Sequence, residues 1–190
     1  MDLVFATNNK HKLLEIKQSV QNYNIKGLSE YGILEDIPET GDTLKDNARI
    51  KARFIYEKYG VDCFADDTGL EVKALGGAPG VYSARYAGPD CNYRDNNQKL
   101  LQELQNVDDR SAQFRTVICL IINGEEQFFE GICSGQILED YQGENGFGYD
   151  PLFLPKGFKD SFAEMSTADK NKISHRGLAV EKLLSFLNNK

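Results

Sequence analysis

The chain has 190 residues, with 29 acidic against 22 basic side chains and a formal net charge of −7. Such a balance offers no broad positive face, which argues against nucleic acid or an anionic membrane as partner and requires any anionic ligand to be met locally. No stretch approaches the roughly 20 apolar residues of a membrane span, the first residues carry no basic-then-apolar leader, and Cys63, Cys91, Cys119 and Cys133 lack the spacing of a zinc site or a disulfide framework, so the expectation is a cytoplasmic protein with reduced thiols.

In chain order, Leu3 to Ala6 is a short apolar run closed by a polar turn, Thr7 to Lys12, after which Leu13, Ile16, Val20 and Tyr23 recur at helical spacing. Leu44, Ala48, Ile55 and Tyr59 define a second helix, with Asp42 or Thr43 as N-cap and Gly60 just past its end. Phe64-Ala65, Asp66-Asp67-Thr68-Gly69 and Leu70 to Val72 read as strand, acidic turn, strand. Val81 to Asn97 reads as an ordered loop leading to a helix around Asn96 to Leu104. Phe114 to Ile122 and Gln127 to Leu138 flank Asn123-Gly124, a hairpin signature. Gly143 to Gly148 is a turn before the apolar run Pro151 to Pro155, and Leu178, Leu183, Leu184 and Leu187 mark a closing helix. One antiparallel hairpin among alternating strands and helices predicts a mixed α/β fold in a single domain, residues 1–190.

Five segments carry candidate chemistry, and each taken singly has an ordinary structural alternative. Thr7 to Lys12 is either a capped turn or a place where helix N–H groups, Asn9 and Lys12 meet a phosphate. Glu39 with Asp66 and Asp67 offers carboxylates from distant segments, the usual way to assemble a magnesium site, although paired aspartates are also common in plain turns. Asn47 and Lys51 share one face of the second helix, which suits either solvent or a ligand. Lys170 to Gly177 gathers cations before and inside a helix start, where the helix dipole disfavours them, so an acceptor should compensate His175 and Arg176. Gly146 to Pro151 sets Phe147 between glycines with Asp150 close behind, either a turn with a core Phe or a surface for a flat base.

Together these segments resemble the inosine/xanthosine triphosphate pyrophosphatase family. The resemblance rests on Phe5-Ala6-Thr7-Asn8-Asn9 with Lys12 and Glu15; Glu39 to Thr43 with Asn47-Ala48 and Lys51-Ala52; Ala65 to Leu70; Gly76 to Tyr86; Gly146 to Pro151; Phe162 to Met165; and Ser174 to Gly177. Asn8, Leu44, Ser161 and Lys172 depart from the pattern, which expects Gly, Phe, Thr and a small residue there. The resemblance implies an elongated mixed sheet with two α/β lobes, a nucleotide in the cleft between them, and a homodimer. It further implies that Mg²⁺ is held by Glu39 and Asp67 and that Asp67 deprotonates the attacking water. Thr7, Asn9, Lys12 and Lys51 would hold the triphosphate with help from Lys170, while Phe147, Asp150, His175 and Arg176 read the base. Asn8, Thr68, Gly148 and Tyr149 complete the implied substrate-binding set. The expected reaction is hydrolysis of ITP, dITP or XTP to the monophosphate and pyrophosphate. Its rivals are a pyrophosphatase for modified pyrimidine or methylated nucleotides and a nucleotide-binding regulator without catalysis.

Overall fold

The computed structural model describes residues 2–20, 23–35, 37–90 and 92–189. Six strands form one mixed sheet: β1 (Asp2–Phe5), β2 (Asn24–Gly27), β3 (Cys63–Val72), β4 (Ser111–Ile122), β5 (Glu125–Ile137) and β6 (Phe153–Pro155). Their order is β2-β1-β3-β4-β5-β6, with β1 parallel to β2 and to β3 and β5 antiparallel to β6. The helices are α1 (Lys10–Ser19), α2 (Leu44–Tyr59), α3 (Tyr93–Glu103), α4 (Thr167–Ile173) and α5 (His175–Asn188). Among the described residues no helix is long and apolar enough to cross a membrane.

The chain divides into two compact units. The first comprises Met1–Asp67, Thr116–Gly131 and Arg176–Lys190; the second comprises Thr68–Arg115 and Ile132–His175. β3, β4 and β5 each contribute one part to either unit, and their sequences change character on the way. In the first unit both faces of the sheet are buried: Leu3, Phe5, Phe64, Ile118 and Leu120 pack with Ile16 and Leu183, while Val4, Ala6, Cys63, Ala65, Cys119 and Ile121 pack with Ala48, Ala52 and Ile55. Strands covered on both sides read as unbroken apolar runs, which accounts for Val117 to Ile122. In the second unit Leu70, Val72, Ala112, Phe114 and Cys133 share a core with Leu100, Leu152 and Phe162. Alternate residues there, Glu71, Gln113, Ser134 and Gln136, line an open groove of about 790 Å³, so the strand pattern returns to period two.

α2 has the predicted limits: Thr43 caps it by accepting the Asp46 N–H, and Gly60 closes it. Asn123 and Gly124 both take positive φ at the hairpin turn, as predicted. α1 stops at Ser19, short of Tyr23, which packs at the edge of the core instead. Three expectations need correction. Asp66 to Gly69 is no turn but the middle of the continuous strand β3, because buried partners satisfy both carboxylates. α3 starts at Tyr93, earlier than predicted, since the Asn92 side chain accepts from the Arg94 and Asp95 N–H groups and caps it there. The cations of residues 170–177 belong to two helices, α4 and α5, with Ser174 between them. Cys63, Cys119 and Cys133 are free thiols; burial pushes Cys63 and Cys119 up to about 12 and Cys133 up to about 11. Cys91 lies outside the described residues.

Candidate active site

Within the first unit, strand alternation sends the two aspartates of β3 to opposite faces of the sheet. Asp66 shares the face of Phe64, which packs with α1 and α5, and Asp67 shares the face of Cys63 and Ala65, which packs with α2. Asp66 is 1% exposed. Its Oδ1 accepts from Lys12 Nζ at 2.9 Å and its Oδ2 from Arg176 Nε at 3.3 Å. Arg176 also donates through Nη1 to buried Glu15. Two cations and two anions therefore form a neutral buried group, and the acceptors that a cationic helix start requires are Glu15 and Asp66 themselves. Burial alone raises the Asp66 pKa, but Lys12, Arg176 and Lys51 outweigh it and hold the carboxyl well below the usual range. Burial likewise opposes the charge of Arg176, and Glu15 and Asp66 more than restore it.

Asp67 lies in a different field. Its Oδ2 accepts from Asn47 Nδ2 at 3.0 Å, and its Oδ1 is 3.7 Å from Lys51 Nζ. The same ammonium donates to Glu39 Oε1, so two carboxylates from residues 39 and 67 converge on one cation. Burial raises the Asp67 pKa, and Lys51 and Lys12 do not fully offset it. For Lys51 burial is again the largest single influence, yet Asp67, Glu39 and Asp66 together keep its pKa above the ordinary value. The Lys12 pKa is lowered, chiefly by burial.

The turn ahead of α1 is built as a cap. Asn9 Oδ1 accepts from the His11 and Lys12 N–H groups at 3.0 and 3.1 Å, and the Asn9 N–H donates to Thr7 Oγ1 at 3.1 Å. The cap orders Thr7 to Lys12 and leads Lys12 inward to Asp66, while Asn8 stays exposed. Glu39 and Asp67 form a donor set of two hard oxygen ligands already gathered around a cation, which fits Mg²⁺, an ion that takes its remaining ligands from water and phosphate.

In the second unit the Gly146 to Asp150 loop is fastened from several sides. Asp150 Oδ2 accepts from the Phe147 N–H at 2.9 Å and from Lys170 Nζ at 2.7 Å, with both charged side chains 4% exposed. Lys170 Nζ also stands 5.2 Å from the Phe147 ring centre. Gly146 is required because a Cβ there would run into the Asp150 carboxylate. Tyr149 donates through its hydroxyl to Ser83 O at 2.9 Å, and His175 stacks on Phe114 with ring centres 4.5 Å apart. Thr68 is half-buried on β3.

Three side chains absent from the predicted site hold these arrangements. Asn97, 3% exposed, donates to Gly148 O at 3.0 Å, and Tyr93 lies with its ring centre 6.1 Å from that of Phe147. The available signal was a pair of adjacent asparagines, weak helix formers, in mid-helix: Asn96 is tied to Ala84 and Ala87, and Asn97 to the loop. Glu15 is the third, and only its place beside the first motif hinted at it. The predicted residues thus fall into two sets. Glu39, Lys12, Lys51, Asp67 and Arg176 belong to the first unit, and Phe147, Asp150, Lys170 and His175 to the second.

The sequence profile of the Ham1 family matches residues 3–186. A protein of Christiangramia forsetii named dITP/XTP pyrophosphatase is 55% identical over 188 residues, covering 98% of this chain and 99% of its own. The fold is similar to that of the Staphylococcus aureus Ham1 protein, with a TM-score of 0.90 at 40% identity over 100% of this chain and 99% of that one. A HAM1 protein from Coxiella burnetii gives a TM-score of 0.91 at 38% identity with both chains fully covered.

Proposed function

Because this chain belongs to the Ham1 family, we propose that it hydrolyses dITP, ITP and XTP to the nucleoside monophosphate and pyrophosphate, and so removes damaged purine nucleotides from the cytoplasmic pool. The observation that carries the reading is the convergence of Glu39 and Asp67 on Lys51 beside Lys12, since a protein that merely held a nucleotide would not need carboxylates near its phosphates.

Glu39 and Asp67 are the residues that would hold Mg²⁺, which when bound neutralises phosphate oxygens and makes water easier to deprotonate. Asp67 takes the proton of a water as that water attacks the α-phosphorus, and pyrophosphate leaves. Lys12 and Lys51 stabilise the charge that grows on the β- and γ-oxygens, and the ordered turn from Thr7 through Asn8 to Asn9, with Thr68, positions the phosphate chain. No covalent enzyme intermediate is involved.

Phe147 supplies a stacking face for the purine, Asp150 accepts from a base N–H, Lys170 holds Asp150, and Gly148 and Tyr149 complete the loop. His175 and Arg176 are the donors for the purine 6-oxo group. Adenine presents an amino group there, a donor where those residues call for an acceptor, a mismatch that can reject a substrate by about 10⁴-fold. The protein acts as a homodimer, which sedimentation would register as twice the chain mass.

The deciding experiment incubates the protein and Mg²⁺ with dITP, ITP, XTP and the four ordinary triphosphates and follows products by phosphorus NMR. Pyrophosphate and monophosphate from the hypoxanthine and xanthine nucleotides, with ATP left nearly intact, is the expected outcome. Orthophosphate release, or equal turnover of ATP and dITP, would contradict the proposal.

A further inference from the structure

Asn47 is fully buried in α2, where a polar amide lowers helix stability unless both its donor and its acceptor are satisfied. Both are. Oδ1 accepts from the Gly41 N–H at 2.8 Å, and Nδ2 donates to Asp67 Oδ2 at 3.0 Å. The two partners lie on separate segments. Gly41 follows Glu39 by two residues, and Asp67 sits on β3. Backbone and helix approach so closely at Gly41 that a Cβ there would lie 2.7 Å from Asp46 Cβ and 2.9 Å from Asn47 Oδ1.

The chemistry of the two partners admits few side chains. Gly41 presents a donor and Asp67 an acceptor, so the bridging group must accept at one end and donate at the other. A carboxylate at position 47 would meet Asp67 as a like charge, and an aliphatic side chain would satisfy neither partner. The bridge also selects between the Asp67 oxygens, since Oδ2 is engaged by Asn47 while Oδ1 is the oxygen nearest Lys51.

We propose that Asn47 is a positioning residue for catalysis: its amide holds the Glu39-bearing segment and the Asp67 carboxylate in the mutual register that receives the divalent cation. The inference rests on the reading of Glu39 and Asp67 as the cation-holding pair. It assigns Asn47 no contact with substrate. Outer-shell groups of this kind typically change metal affinity or activity by about 10- to 100-fold when removed.

The test uses the full chain with Asn47→Ala, Asn47→Asp and Asp67→Asn, each assayed well below its own unfolding temperature. Mn²⁺ binding without nucleotide is read by electron paramagnetic resonance, and kcat and KM for dITP by pyrophosphate release. Both Asn47 variants should weaken Mn²⁺ binding ~10-fold or more and lower kcat on the order of 10-fold or more, with KM for dITP shifting only a few-fold. Adding Asn47→Ala to Asp67→Asn should weaken Mn²⁺ binding little further, because the partner is already altered. Folded Asn47→Ala with the wild-type Mn²⁺ affinity and kcat, or full additivity in the double variant, would overturn the inference. If neither Asn47 variant folds, Gly41→Ala decides, as its Cβ displaces the Asn47 amide without removing it: loss of Mn²⁺ affinity supports the assignment and retention overturns it. Wild-type behaviour of Asp67→Asn would instead overturn the underlying reading of the metal pair.

Discussion

Asp66 and Asp67 are neighbours on one strand, yet the surroundings of the first are built to stabilise a charge and those of the second leave a charge at a disadvantage. On the α1/α5 face, Asp66 meets Lys12 and Arg176 and its pKa falls. On the α2 face, Asp67 meets an amide and a lysine already shared with Glu39, and its pKa rises. Lys12 and Arg176 compensate the Asp66 charge, whereas the Asp67 charge is left partly uncompensated, the setting expected of a carboxylate in the proposed chemistry.

The largest effect expected from breaking this contrast is on the Asp66 side. Asp66→Ala takes away the carboxylate that Lys12 donates to and one of the two carboxylates on Arg176, and should reduce unfolding free energy by about 3–5 kcal/mol, measured by urea denaturation. Because the folded pKa of Asp66 lies below the ordinary aspartate value of 3.8, its contribution is complete above that value and is lost as pH falls toward the folded one. Acid unfolding of wild type should therefore be steep below about pH 4, and less so in Asp66→Ala. Asp67→Asn should cost about 100-fold or more in turnover, roughly 2.7 kcal/mol. Its stability should move the other way. A raised folded pKa means that the charged form is disfavoured by folding at neutral pH, so the metal-free Asn variant should melt at or above the wild-type temperature. Smaller still is Asn97→Ala, which leaves Gly148 O without its donor. About 1–3 kcal/mol should be lost, seen as a raised KM for dITP with kcat little changed. Thr43→Ala, which removes the hydroxyl that accepts the Asp46 N–H, should lower stability by about 1 kcal/mol through loss of the α2 cap and leave selectivity unaltered.

What was legible in the sequence was local. Thr43, Gly60 and the stripe between them bound α2, and Asn123-Gly124 fixes the hairpin, because caps and turns depend on residues only a few positions apart. The Asp66 to Gly69 segment departs from its local pattern for the converse reason: its composition is that of a turn, while its partners lie far away, with Arg176 110 positions along the chain. Once those partners arrive, strand geometry prevails over local preference. Asn97 was illegible in the same way, its acceptor being 51 positions distant. The seven-residue helix α4 does carry a local signal, since Ser166 caps it by accepting the Asp169 N–H, but the charge cluster that follows overshadows it.

The division of labour between the two aspartates is tested most directly by pyrophosphate release from dITP in Asp67→Asn, assayed with Mg²⁺ at a temperature where circular dichroism shows the variant fully folded. A folded protein turning over about 100-fold or more slowly than wild type is the predicted result. Near-normal turnover in that folded variant would contradict the account and remove Asp67 from the chemistry.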